Sequence, residues 1–117
     1  MLSFLKFIFH IIRRPRMFFI QEVDDFFFMV AGYIAGKENE EYSIFIDEFS
    51  KYLSKKYNFK QNVTYNLIIK SMTIYNDITL EILKDEMILF LQSKEAKSLK
   101  FMHQLYENKD IEVLLTK

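Results

Sequence analysis

Apolar residues recur along this chain at the three- and four-residue spacing of α-helices, beginning with residues 2–13. In that stretch Ser3, Lys6 and His10 mark one narrow polar stripe, and the other sides are apolar. Such a pattern predicts an amphipathic helix that docks into a hydrophobic core. Pro15 ends the helix, because proline disfavours helical backbone at the residue before it. We therefore interpret "RRPRMFF" as the corner between the first two helices.

Two further helices are predicted after this corner. Residues 22–36 start with three carboxylates, which the helix dipole favours in a first turn, and continue with "FFFMVAGYIAG". That run is apolar on every side, which is typical of a buried central helix. We expect Gly32 and Gly36, which share one face, to allow close packing of a neighbouring helix, or Gly36 to end this one. Residues 41–57 show the clearest amphipathic pattern of the chain.

The next part of the chain predicts a fourth and a fifth helix. Residues 63–75 carry an apolar stripe that ends with Tyr75, and Asn62 precedes them as a suitable N-cap. Residues 78–92 repeat the pattern, with Asp77 as the expected cap. Both stripes predict helices that turn one side towards a shared core.

The remaining residues give a weaker pattern. Residues 94–107 can form a sixth helix, and the tail "DIEVLLTK" fits either a short helix or an extended edge. Two glycines and one proline supply little turn material for an all-β fold. The sequence therefore predicts an all-α fold, a compact bundle of five to six helices in a single domain that spans residues 1–117.

Charge is balanced overall, with 16 basic and 16 acidic residues, but it is laid out in blocks. Residues 1–20 carry four cations and no carboxylate, residues 21–50 carry eight carboxylates and one lysine, and residues 51–75 carry five lysines and no carboxylate. The balanced total argues against a generic nucleic-acid-binding protein, which usually has a basic excess.

The compartment is indicated by two features. The chain has no cysteine, which excludes disulfides and thiolate metal sites and fits a reducing environment. The apolar run at residues 2–12 is shorter than the roughly 20 residues of a membrane span, and its arginines follow it, unlike those of a secretory signal. We expect a cytoplasmic protein.

Groups that could form a catalytic centre are scarce. His10 and His103 are the two histidines, and they fall on different predicted helices. No phosphate-binding glycine loop and no nucleophile motif occurs. Adjacent carboxylates such as Asp24 and Asp25 diverge around a helix instead of converging on one substrate. We therefore expect a protein that is not an enzyme, with no catalytic residue, no metal, no cofactor and no small-molecule substrate.

Three arginines, Arg13, Arg14 and Arg16, leave two other hypotheses open. With the lysines of the Lys51–Lys70 block they could grip nucleic acid, as a small helical regulator would. The first helix could also lie on a membrane through residues 2–12, because it joins a wide apolar side to cations. Every later helix is equally apolar, however, so we favour a first helix packed in the core. We expect neither nucleic acid nor a membrane as partner.

The stretches "RRPRMFF", "FFFMVAGYIAG" and "FIDEFSKYLSKKY" resemble a class of small bacterial immunity proteins. These proteins are encoded beside polymorphic toxins and contact-dependent growth inhibition toxins. The class shows an R-P-x-M-aromatic element, a Phe-rich helix that ends in G-Y, and an F-x-x-F-x-x-[WY]-L helix. The matching positions cover about half of the chain and are Arg14, Pro15, Met17, Phe18, Phe26, Gly32, Tyr33, Phe45, Phe49, Tyr52 and Leu53.

This resemblance implies binding of a cognate toxin C-terminal domain in a 1:1 complex, which blocks the active site or the docking surface of the toxin. Nuclease toxins must bind polyanions and are commonly cationic, so an acidic face on the inhibitor would steer their encounter. We expect that face, with Tyr42 or an exposed phenylalanine as an aromatic anchor, to consist of Glu22, Asp24, Asp25, Glu38, Glu40, Glu41, Asp47 and Glu48.

The "RRPRMFF" corner is expected to be structural first. We predict that Met17 and Phe18 are tucked into the core and that Arg14 bridges to carboxylates at the start of the second helix.

Overall fold

The computed structural model describes residues 1–116, and its secondary structure follows the predicted periodicity most closely before residue 57. The α-helices of these residues are α1 (Leu2–Arg13), α2 (Val23–Lys37), α3 (Glu40–Lys56), α4 (Tyr65–Lys70), α5 (Asn76–Leu91), α6 (Lys94–Lys97), α7 (His103–Glu107) and α8 (Asp110–Leu115). Two 3₁₀ turns, Pro15–Phe18 and Lys100–Met102, join helices, and no β-strand occurs in this part of the chain. The all-α prediction is confirmed.

Aromatic side chains fill the centre of the molecule. Phe45 and Phe49 of α3 meet Phe90 of α5 with ring centroids 5.4 and 5.3 Å apart, and all three are fully buried. Full burial of one such ring contributes roughly 1.5–3 kcal/mol.

The first helix packs against this core, as predicted. Its buried residues are Phe4, Leu5, Ile8, Phe9, Ile11 and Ile12. The apolar side of residues 2–12 is thus covered by the protein itself, as expected of a first helix packed in the core.

The second helix is not the central helix that its sequence predicts. Four of its residues are buried, and the opposite side exposes Phe28 together with the small residues Ala31, Gly32, Ala35 and Gly36. A Cβ placed on either glycine would meet nothing within 4 Å, so no helix packs closely there. Nor does Gly36 end the helix, which continues to Lys37. A continuous apolar run carries no period from which the buried side could be read.

The fourth helix is shorter than predicted, because serine and threonine hydroxyls end it early. Ser71 Oγ donates to the carbonyl of Ile68 (2.6 Å), and Thr73 Oγ1 accepts from the backbone N–H of Tyr75 (3.2 Å). These local bonds compete with further helix. Tyr75 therefore lies in the α4–α5 loop (residues 71–75) and points outward.

Both predicted caps in this region are displaced. Thr64, not Asn62, precedes α4, and Asp77 lies in the first turn of α5 behind Tyr75, the residue at the N-cap position. Asn76, the first residue of α5, accepts a hydrogen bond from the backbone N–H of Val23 (2.9 Å) through its side chain. The loop before α5 is thereby tied to the start of α2.

The C-terminal third forms several short helices where one was predicted, which raises the helix count above five to six. Ser93 caps α6 by accepting from Ala96 N–H (3.3 Å), and the chain then bends at the second 3₁₀ turn. Tyr106 of α7 donates to the carbonyl of Leu91 (2.5 Å), and burial raises the pKa of Tyr106 to about 12. In residues 1–116 we find no helix with the length and apolar character needed to cross a bilayer.

Candidate partner-binding surfaces

Three of the carboxylates predicted to face a partner lie at the N-terminal end of α2. Asp25 accepts hydrogen bonds from the backbone N–H groups of Gln21 (2.9 Å) and Glu22 (3.0 Å). These bonds, first that from Glu22, lower the pKa of Asp25 below its usual 3.8. Asp24 forms an ion pair with Lys70 (Oδ1–Nζ 2.8 Å), which ties α2 to α4. Two of the three carboxylates therefore hold the local structure together.

A second acidic group lies at the α2–α3 corner, which comprises Glu38, Glu40 and Glu41. Glu38 adopts the left-handed conformation (φ 51°) that turns the chain, and Glu40 is exposed. Asn39 caps α3 by accepting from the N–H of Glu41 (2.9 Å). The charges of Glu40 and Glu41 suit the first turn of that helix.

The last two predicted carboxylates, Asp47 and Glu48, follow on α3. Asp47 is exposed, and Glu48 pairs with Lys51 one turn away (3.3 Å). Because α2 has 15 residues and rises about 1.5 Å per residue, its first and last Cα atoms are about 21 Å apart. The carboxylates at the start of α2 are thus separated by the length of this helix from those of the α2–α3 corner.

The aromatic anchor predicted on this face lies inside the molecule. Tyr42 is only 7% exposed and stacks on Phe4 at a centroid distance of 4.5 Å. Its ring belongs to the core between α1 and α3, because position 42 shares the buried side of α3 with Phe45 and Phe49. Tyr42 therefore offers no ring to a partner, and that prediction is wrong.

The arginine-rich corner is a 3₁₀ turn after a helix end, but its side chains lie elsewhere than predicted. Arg13, not Arg14, makes the long-range contact: its Nη2 donates to the carbonyl of Leu114 (2.9 Å), and its guanidinium lies 5.1 Å from the centroid of the Phe9 ring. Arg14 is exposed and joins no ion pair within the described part of the chain. Met17 is 67% exposed instead of tucked into the core.

The residues after the turn project outward. Phe18 is partly buried, as expected, whereas Phe19 is 88% exposed and adopts the left-handed conformation with φ 58°. That backbone conformation costs a bulky residue about 1–3 kcal/mol. The chain thus holds a large aromatic side chain in solvent at an energetic cost.

An open cleft of about 490 Å³ separates the 3₁₀ turn from the α4–α5 loop. Ile74 and Tyr75 of that loop are 89% and 61% exposed. The charged residues at the cleft are Arg16, Glu22 and Asp77, and Pro15, Ile20 and Leu80 add apolar surface. Sequence reasoning missed this site because it placed Tyr75 on the inner stripe of a longer helix.

The cations of the nucleic-acid hypothesis are differently placed. His10, Arg13 and Arg14 line a cavity of about 280 Å³ next to Met17 and Phe18. In contrast, three lysines of the Lys51–Lys70 block are neutralised by ion pairs, which are Lys51–Glu48, Lys56–Glu86 and Lys70–Asp24.

A buried polar site that the sequence reasoning also missed joins α3 to α5. Glu86 accepts from Lys56 Nζ (2.8 and 3.1 Å) and from the Tyr57 hydroxyl (2.6 Å). The sequence does contain a sign of this site, because Glu86 lies three residues after Leu83 and four before Phe90, on the apolar stripe of α5. A carboxylate at a core position of a helix calls for partners from a neighbouring element.

Among residues 1–116, no three histidine, aspartate or glutamate side chains come close enough to hold a metal ion. No family model, curated protein or solved structure matches this chain.

Proposed function

We propose that this chain is an immunity protein that binds a cognate toxin C-terminal domain in a 1:1 complex in the cytoplasm. It neutralises the toxin, a nuclease in this proposal, by occluding the active site or the docking surface. Support comes from the immunity-protein motifs between Arg14 and Leu53.

One structural observation carries the proposal furthest. Glu38, Glu40 and Asp47 are exposed and take part in no ion pair within the described residues. Carboxylates that the fold does not use are available to a cationic partner, and they would accelerate its association at low salt.

The test is a survival assay paired with a binding measurement. The C-terminal domain of the large protein encoded directly upstream is expressed in cells with and without this chain, and the lysates are run on a sizing column. We expect rescue of growth and co-elution at a 1:1 ratio. Toxicity that the chain does not relieve, with separate elution of the two proteins, would reject the immunity function.

The cavity lined by His10, Arg13 and Arg14 favours a second candidate function, a small nucleic-acid-binding regulator. That function predicts binding that weakens steeply with salt, because released counterions dominate the affinity. Fluorescence anisotropy with labelled single- and double-stranded DNA, from 20 to about 200 mM salt, tests it. A flat titration at the lowest salt eliminates this candidate without affecting the immunity proposal.

A further inference from the structure

The cleft at the start of α2 combines an apolar floor with an excess of carboxylate. Pro15, Ile20 and Leu80 supply aliphatic surface, and two carboxylates, those of Glu22 and Asp77, line the cleft together with one guanidinium, that of Arg16. Neither carboxylate joins an ion pair in the part of the chain that the structure describes. A lysine or arginine side chain matches this lining, because its methylene stem packs on apolar surface while its charged head meets the acids.

The rim of the cleft is apolar as well. Ile74 and Tyr75 line the cleft on the side of the α4–α5 loop, and each has more than half of its surface in solvent. Large exposed apolar groups with a polar surround mark interaction sites. Tyrosine is moreover among the residues that most often dominate binding energy.

Backbone hydrogen bonds fix both walls. The N–H of Ile20 donates to the carbonyl of Pro15 (3.0 Å), and the N–H of Val23 donates to the Asn76 side chain (2.9 Å), which joins one wall to the other. A rigid site loses less conformational entropy on binding than a mobile one.

We propose that this cleft, and not the α2–α3 corner, is the main toxin-docking surface, and that it takes a projecting lysine or arginine of the toxin beside Ile74 and Tyr75. This inference rests on the immunity function proposed above. It assigns the aromatic anchor of the interface to Tyr75, in place of the buried Tyr42. The α2–α3 corner then acts in steering the encounter.

The charge of the cleft favours a basic protein over an anionic membrane. Glu22 and Asp77 would be repelled by acidic headgroups, although the rim itself is apolar. A second copy of this chain is a different occupant, and elution of the chain alone as a dimer, lost in the Ile74→Arg variant, would overturn the toxin assignment.

The test places the same arginine on three surfaces. The variants are Ile74→Arg at the cleft, Ile44→Arg beside the α2–α3 corner, and Val113→Arg on α8, all at exposed aliphatic positions. Affinity for the upstream-encoded toxin domain is measured by calorimetry, and thermal melts confirm that each variant is folded. Ile74→Arg should weaken binding on the order of 30-fold, the effect of losing one central contact. Val113→Arg should stay within about threefold.

The outcomes separate the two proposals. If the unaltered chain fails to bind the toxin domain or to protect cells from it, the proposed immunity function is wrong, and the cleft assignment is wrong with it. If the unaltered chain binds and Ile74→Arg binds equally well, the cleft assignment alone is wrong. The same holds if Ile44→Arg weakens binding more than Ile74→Arg does.

The sign of the partner's charge is tested at the same position. Ile74→Glu loses the same apolar contact but adds a third carboxylate to the cleft. For a basic partner it should bind at least about fivefold more tightly than Ile74→Arg, because opposite charges attract and like charges repel across an interface. Equal affinity of the two variants would overturn the assignment of a lysine or arginine.

Discussion

Glu86 and the carboxylates of the α2–α3 corner carry the same chemical group in opposite surroundings. The Glu86 side chain is 9% exposed and meets Lys56 and Tyr57, whereas Glu38 and Glu40 lie in solvent. A carboxylate taken out of water needs partners to remain charged, and an exposed one does not. A dense run of acids in a sequence therefore indicates surface, and a single acid among apolar residues indicates a built contact.

The largest expected effect comes from removing the buried carboxylate. Glu86→Ala should lower the free energy of unfolding by about 2 kcal/mol, because Lys56 and Tyr57 lose a charged hydrogen-bond partner. Urea unfolding followed by circular dichroism measures it. Glu81→Ala on the same helix is the control, since the Glu81 side chain is 64% exposed and its ion pair with Lys84 should contribute below about 0.5 kcal/mol. Equal losses in the two variants would erase the contrast between buried and exposed acids.

Alkaline pH should weaken the same site. The hydrogen bond to Glu86 and, second, burial raise the pKa of Tyr57 above 10.0. Burial lowers the pKa of Lys56, but the hydrogen bond and the charge of Glu86 outweigh it and leave the pKa above 10.5. The folded state favours the protonated form of both groups. Their contribution to the free energy of unfolding is therefore complete below about pH 10, and it is lost as the pH rises through their pKa values in the folded state.

Thermal melts between pH 8 and roughly 11.5 measure this loss. In Tyr57→Phe the share of this alkaline loss that comes from ionisation of the Tyr57 hydroxyl should vanish. The variant should also be less stable than the parent by about 1 kcal/mol at neutral pH, because it lacks the hydrogen bond to Glu86. A pH profile of Tyr57→Phe that coincides with that of the parent would contradict the role given to the hydroxyl.

How far the sequence predicts the structure depends on the kind of signal. The amphipathic pattern predicted the bounds of α1 and α3 to within one residue, because their apolar spacing fits a helix with only one buried side. The side of α2 that packs could not be read, since its sequence is apolar all round. Residues 71–75 were misassigned because Ser71 and Thr73 offer the backbone local bonds that propensity undervalues.

The candidate sites were predicted less well than the helices. Proximity along the chain placed eight carboxylates in one block, yet the length of α2 separates the three at its start from those of the α2–α3 corner. The cleft is lined by residues from distant parts of the chain, such as Arg16 and Asp77, which lie 61 residues apart. No local sequence pattern predicts that two such distant positions line the same cleft.

A smaller effect is expected at the start of α2. Asp25→Ala removes the acceptor for two backbone N–H groups and should lower the melting temperature less than Glu86→Ala does. Because folding lowers the pKa of Asp25, its carboxylate stabilises the fold fully above pH 3.8, its ordinary pKa. This stabilisation is lost as the pH falls through the pKa of Asp25 in the folded state. Acid titration of stability in parent and variant checks this. A variant whose stability falls equally steeply with acid would contradict it.

The smallest effect on stability belongs to the exposed acids. The double variant Glu40→Gln, Asp47→Asn should change the free energy of unfolding by less than about 0.5 kcal/mol. The association rate with a basic toxin should nevertheless fall severalfold at low salt and little at high salt, as expected of steering charges. Stopped-flow mixing with the toxin domain measures both. A change confined to the dissociation rate would give these residues a direct contact instead.

The bond from Arg13 to the carbonyl of Leu114 joins positions 101 residues apart. A ribosome adds about 5–20 residues per second, so roughly 5–20 s pass between synthesis of these two residues. During that interval the edge of α1 that meets α8 lacks its neighbour, and the Arg13 guanidinium lacks the carbonyl to which it donates. The packing of α1 is therefore completed only after α8 has been synthesised, and folding during synthesis depends on how well the nascent α1 avoids other apolar surfaces.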